Sequence, residues 1–180
     1  MNIRVSFFMV AIMAILSSFT FIDTGYQQVL ANCKKKEVKS RLIEFQKGGI
    51  EVKTFEYDIE KVIAFAETFK GTPHKMGGLD KKGIDCSGLM FSSHSKFGVQ
   101  LPRTSQEQAR MGKIVPTFDL LQRGDLVFYY NSYKTSNFIT HTGIYLGHGK
   151  FIHTSNSKGV IISDVDDNTI GENDFCSVHV

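Results

Sequence analysis

The spacing of apolar residues changes twice along this chain, and the changes divide it into three stretches. From Val5 to Ile22 the sequence is apolar apart from Ser6, Ser17, Ser18 and Thr20. Between residues 58 and 108 the period is that of a helix. Ile59, Val62, Ile63, Ala66 and Phe69 recur on one face, which predicts a helix that Asp58 caps and Gly71 and Pro73 end. Leu89, Met90, Phe91 and Phe97 predict a second helix, stopped by Gly98. A short third one follows Leu101-Pro102-Arg103-Thr104-Ser105, with Thr104 or Ser105 as cap and Glu107 placed for a capping box. From Asp119 onward the apolar runs are short and punctuated by turns. Strands are expected at 125–130, 141–146, 151–153 and 159–164, with a last one at 175–180. Gly147-His148-Gly149-Lys150 reads as the hairpin turn joining the second strand to the third. Helices first and antiparallel strands afterwards define an α+β domain, not an alternating parallel sheet. No internal repeat is visible.

The ends of the chain read differently from this middle. Met1 to Arg4 carry the amino terminus and one arginine, and no acid occurs before Asp23. With the apolar run that follows, this is the pattern of an export signal. Two processing routes are open: cleavage after Ala31, or lipidation of Cys33, since Leu30-Ala31-Asn32-Cys33 is similar to a lipoprotein box. An exported chain in the cell envelope, with a possible membrane tether through Cys33, is therefore expected. Residues 34–41 are five basic residues against one acid and read as a solvated linker. Residues 42–57 show no clear period and read as an arm. The expected division is 1–31 targeting segment, 32–57 basic linker or arm, and 58–180 folded domain. A 180-residue chain that is 42% hydrophobic can bury one real core. A net charge of only +3, with no basic stripe interleaved with aromatics, sets nucleic-acid partners aside. A monomer is expected.

Candidate chemistry centres on Gly83-Ile84-Asp85-Cys86-Ser87-Gly88-Leu89-Met90. Here a cysteine sits where a glycine-containing loop gives way to a helix. Free backbone N–H groups and the helix dipole favour thiolate at such a place. The plain alternative is a small buried hydrophobe. Three cysteines (Cys33, Cys86, Cys176) support no disulfide framework, and the Cys86 thiol is expected to be free.

The chain has six histidines. His94 and His148 read as surface residues and His179 lies at the terminus, which leaves His74, His141 and His153. His141 opens one strand and His153 ends the strand that pairs with it. The hairpin can bring the two together opposite Cys86, giving a nucleophile, a base and an orienting group. His141 would hold the thiolate as an ion pair, His153 would fix its ring plane, and the Cys86 N–H would meet the oxyanion. A zinc site of Cys86, His141, His153 and His74 is the alternative. Neither CxxC nor HExxH spacing is present, so no metal and no cofactor is expected.

Several blocks together resemble the NlpC family of bacterial cell-wall cysteine peptidases. They are Gly71-Thr72-Pro73 with Gly77-Gly78, Asp85-Cys86-Ser87-Gly88-Leu89, Leu101-Pro102-Arg103-Thr104-Ser105, Arg123-Gly124-Asp125-Leu126-Val127-Phe128, His141-Thr142-Gly143-Ile144-Tyr145-Leu146-Gly147 and Phe151-Ile152-His153. The likeness covers about 58–180 with every block in order. It implies a compact papain-like fold in which N-terminal helices pack on an antiparallel sheet. It implies endopeptidase cleavage of peptidoglycan stem peptides, commonly between the D-glutamyl γ-carboxyl and the following diamino acid. Catalytic roles fall on Cys86, His141 and His153, and substrate contacts on Asp85, Arg103 and Ser105, with Ser87 and His74 beside them. An acid next to the nucleophile suits the ammonium of a free stem-peptide N-terminus, whereas Arg103 either holds a carboxylate or braces the site. His74 departs from the family pattern, which usually has a tyrosine there, and Thr142 stands where valine is common. The rivals are a non-catalytic peptidoglycan-binding module on the same fold, which needs no matched Cys/His/His set, and a thiol amidase or acyltransferase.

Overall fold

The computed structural model describes residues 24–48, 56–167, 170 and 177–179. The apolar run 5–22, Cys176 and most of the acidic tail lie outside these residues. Among those described, no helix is long and apolar enough to cross a membrane.

Among the described residues the α-helices and strands follow in chain order: α1 (Thr24–Asn32), α2 (Lys36–Gln46), α3 (Ile59–Glu67), β1 (Leu79–Asp80), β2 (Gly83–Ile84), α4 (Cys86–Ser95), α5 (Ser105–Gln108), β3 (Lys113–Val115), β4 (Leu126–Tyr130), β5 (Ile139–Gly147), β6 (Lys150–Ser155), β7 (Gly159–Asp164) and β8 (Ser177–His179). The last six strands form one sheet in the order β3-β8-β4-β5-β6-β7, antiparallel throughout. This is the expected helices-on-antiparallel-sheet arrangement.

The caps are where the sequence puts them. The Asp58 carboxylate accepts from the N–H groups of Glu60 and Lys61 at the start of α3, and Thr104 Oγ1 accepts from Glu107 N at the start of α5. The capping box stays open because the Glu107 side chain turns to Arg110, 3.4 Å away.

One face of the sheet (Leu126, Phe128, Tyr130, Ile144, Ile152) packs with Val62, Ile63 and Ala66 of α3 and Leu89 and Met90 of α4 in the main core. On the other face Val127, Tyr129, Phe151 and Val165 form a smaller cluster. All five β4 residues are buried, which explains why that strand reads as a continuous apolar run. Complete burial of each large aliphatic or aromatic side chain contributes about 1.5–3 kcal/mol.

Two stretches differ from the sequence expectation. The supposed linker contains α2, whose Val38, Leu42 and Phe45 are buried at i, i+4 and i+7. Arg110 lies over the Phe45 ring at 4.1 Å and donates to the Phe45 carbonyl at 2.5 Å. In α1, Tyr26 and Val29 are buried too, and the Tyr26 hydroxyl donates to Leu42 O at 2.6 Å. The stripe crosses from the basic run into residues 42–46, and the Lys and Arg on the opposite face conceal it. The second difference is His94, which is wholly buried. Helix α4 is covered on almost every side, so its polar residues are interior. The His94 Nδ1–H donates to Met90 O at 2.8 Å, Nε2 has no hydrogen-bond partner among the described residues, and burial pushes the imidazole down to about 4.

Candidate active site

A cleft of about 830 Å³ opens at the N-terminal end of α4, and Cys86 is the first residue of that helix. Asp85 is its N-cap and is nearly buried. Both oxygens of Asp85 are fully engaged. Oδ1 accepts from Gly88 N (2.6 Å), Arg103 Nη1 (2.9 Å) and Ser87 Oγ (3.1 Å). Oδ2 accepts from Gly77 N (2.6 Å) and Arg103 Nη2 (2.7 Å). Arg103 also donates to Ser87 Oγ and to Gly78 O. Burial acts to raise the Asp85 carboxyl, but Arg103 and the two backbone N–H groups outweigh it and hold the group below the usual carboxylate range. In this structure Arg103 therefore spends its guanidinium on Asp85, Ser87 and Gly78.

Opposite this wall, His141 Nε2 and His153 Nδ1 are 2.8 Å apart, and His153 Nε2 is 3.0 Å from Ser163 Oγ. The two histidines are not paired directly across the hairpin, because His153 faces Gly143 and His141 faces Tyr129. A Cβ on Gly143 would meet the Ile152 carbonyl, the Phe151 ring and His153 Cβ, so glycine leaves the space in which the two rings meet diagonally. The rings rest on an aromatic layer: His153 stacks on Phe151 at 4.5 Å, Phe151 on Tyr129 at 5.3 Å, and His141 meets Tyr129 edge-on at 6.0 Å.

Burial sets the direction in which the thiol and the two imidazoles shift. Burial, then the Asp85 charge, pushes the Cys86 thiol up to about 11, although the N–H groups of Thr142, Ser87 and Cys86 itself favour thiolate. Burial, then His153 and His74, pushes His141 down to about 3. Burial likewise takes His153 down to about 4, with Asp167 opposing. A helix terminus and a nearby imidazole were expected to dominate; desolvation and the adjoining carboxylate win instead. Both shifts favour the neutral thiol and the neutral imidazole.

Every site residue expected from the sequence lines this one cleft: Cys86, His141 and His153, with Asp85, Arg103 and Ser105, and with Ser87 and His74. His74 forms a single parallel bridge with Ile84, which brings it to the cleft beside β2. Four contributors escaped sequence reading. Gln108 Nε2 donates to Ser87 O and Pro102 O and ties α5 to α4. Ser163, Asp167 and Tyr133 come from β7, the acidic tail and the loop between β4 and β5. The alternating position of Ser163 in β7 was the one local signal available. No group of three or more His, Cys, Asp or Glu side chains that could hold a metal ion occurs among the described residues.

The NlpC/P60 family matches residues 71–179, from the end of the α3 segment to β8. The chain belongs to the NlpC/P60 family. Among curated relatives, Murein DD-endopeptidase MepS/Murein LD-carboxypeptidase of Escherichia coli (strain K12) is 42% identical over 100 residues, 55% of this chain and 50% of that protein. Gamma-D-glutamyl-L-lysine dipeptidyl-peptidase of Bacillus subtilis (strain 168) is 37% identical over 121 residues, 66% of this chain and 40% of that protein. The chain therefore spans about half the length, or less, of these relatives. A solved NlpC/P60 family protein from Bacillus cereus ATCC 10987 superposes with a TM-score of 0.60 at 27% identity, covering 68% of this chain and 40% of that one. The NlpC/P60 match takes in the cysteine, both histidines and Arg103, while α1, α2 and α3 precede it.

Proposed function

We propose that this chain is an exported cysteine endopeptidase of the cell envelope that cleaves peptidoglycan stem peptides. The observation that carries the reading is the His141–His153 contact at 2.8 Å in the same cleft as a helix-start cysteine. In this scheme His141 Nε2–H donates to His153 Nδ1, and His153 Nε2–H donates to Ser163. That tautomer chain leaves His141 Nδ1 as a lone pair for the thiol proton. As Cys86 Sγ attacks the peptide carbonyl carbon, its proton passes to His141 Nδ1. The oxyanion meets the Cys86 backbone N–H. The C–N bond then breaks, His141 returns the proton to the leaving amine, and a thioester remains. Water, deprotonated by His141, hydrolyses the thioester and restores the thiol. His153 orients the base, and its neutrality means that it steadies the imidazolium less than a carboxylate would.

Asp85 and Arg103 act as a brace for the nucleophile's loop, while Ser105, Ser87 and His74 flank the peptide. The bond proposed is that between the D-glutamyl γ-carboxyl and the diamino acid, in keeping with the name of the Bacillus subtilis relative. Cys33, partly buried beside the core, is proposed as the point of tethering. A non-catalytic binding module has no use for a matched thiol, base and orienting group.

Defined muropeptides incubated with wild type and with Cys86→Ala, with products read by mass, test activity and bond together. Cleavage by wild type alone supports the reading, and equal product from both proteins refutes it.

A further inference from the structure

We infer that the loop joining β4 to β5 is a substrate-contacting wall of the cleft, that Tyr133 is its contact with the peptide, and that Arg41 of α2 is the positioning residue that holds it. The inference rests on the peptide-cleaving reading above.

Tyr129 and Tyr130 are completely buried, whereas Tyr133, three residues further on, is 44% exposed and lines the same cleft as Cys86. Burial raises its pKa, and the neighbouring Cys86 and Asp85 add to the rise. An aromatic hydroxyl left open beside a nucleophile offers a flat surface and a hydrogen-bond donor to a peptide backbone.

The loop is pinned at its two ends. Asn131 holds a left-handed backbone at φ 58°. Its Oδ1 accepts from Arg41 Nη1 at 3.2 Å, while the Asn137 carbonyl accepts from Arg41 Nη2 at 3.0 Å. The same guanidinium lies 5.3 Å from the centre of the Phe138 ring. Ser132 N donates to Thr140 Oγ1 at 2.9 Å, and Ile139 N donates to Gln106 Oε1 at 2.8 Å. One planar fork thus spans both ends of the loop. An ammonium reaches one acceptor at a time, so lysine cannot reproduce it.

The strut belongs to α2, outside the residues 71–179 that the family match covers. It also lies downstream of both expected processing points, so either mature form keeps it. The segment that reads as a linker therefore shapes one wall of the cleft.

The test uses the full chain and the muropeptide that wild type cleaves. For Tyr133→Phe, KM is expected to rise about tenfold with kcat nearly constant, the size of one lost hydrogen bond. Arg41→Ala is expected to raise KM in the same direction and to speed tryptic cleavage after Lys134, and Arg41→Lys to restore only part of the loss. A Tyr133→Phe variant within twofold of wild type overturns the contact. An Arg41→Ala variant whose loop is nicked faster while KM stays unchanged overturns the positioning role. A wild-type protein that cleaves nothing defeats the peptide-cleaving reading itself, which separates that failure from this one.

Discussion

The two walls of the cleft are built on opposite terms. On the helix side, the polar groups around Cys86 are spent on one another: Asp85 accepts five hydrogen bonds, two of them from Arg103. On the strand side, the imidazoles lie on an aromatic layer, and around them stand groups facing the cleft, such as Tyr133 and Lys158. A saturated wall can fix a nucleophile but has little left with which to bind. The open wall is where proton transfer and peptide recognition are expected. Breaking the first should cost stability, whereas changing the second should alter kinetics.

Arg103→Ala attacks the saturated wall and has the largest expected effect. Removing the guanidinium leaves a nearly buried carboxylate without its cation, at a cost of about 3 kcal/mol. Urea denaturation measures this, and a loss below about 0.5 kcal/mol, typical of an exposed ion pair, would show that the brace is superficial.

Acid titration sharpens the contrast from within the core. His94 titrates at about 4 in the folded protein and in the ordinary histidine range near 6.5 when unfolded. As pH falls below the unfolded value, the unfolded chain takes up the proton first. The stability contributed is present above pH ~6.5 and lost towards pH ~4, on the order of 3 kcal/mol. His141 and His153 act in the same direction. Urea midpoints should fall between pH 7 and 4.5, and less steeply in His94→Phe. Parallel curves for the two proteins would contradict this.

On the open wall, His153→Ala should lower kcat by about 100-fold through a misoriented His141, a kinetic loss larger than the stability lost by emptying a buried site accounts for. A fall in stability without a kinetic effect would make His153 a core residue instead.

The smallest expected effect is that of His74→Tyr. His74 helps to push His141 down, so its removal should move the acid limb of kcat/KM to higher pH by less than one unit. Superimposable pH–rate profiles would remove His74 from the electrostatics of the site.

The same contrast governs how much could be read from the sequence. The helix wall is local: the helix start at Cys86 and a cap at Thr104 or Ser105 are decided within a few residues and were legible, whereas Asp85, read as a substrate contact, is the cap of α4. The hairpin between β5 and β6 was legible because its turn is short. Its register was not, because Gly143 and the irregularity between Tyr145 and Gly147 set which rings meet. Ser163, Asp167 and Tyr133 arrive through long-range pairing or loop placement that no local period reports. Helix α2 was hidden by its own charges. Its apolar stripe is narrow, and a run of lysines and arginines looks like solvent-facing linker whichever face it covers. His94 was misplaced for the converse reason: a polar-looking segment can be interior when its helix is central.

The two walls meet at Cys86 and His141, and one set of kinetic measurements tests whether they work as a unit. Residual kcat/KM on a defined muropeptide is measured for Cys86→Ala, His141→Ala and the double variant. Nucleophile and base acting together should each reduce activity to the same background, with the double variant no worse than either single one. Losses that multiply in the double variant, or a Cys86→Ala protein that keeps a substantial share of wild-type activity, would contradict a Cys86–His141 catalytic unit.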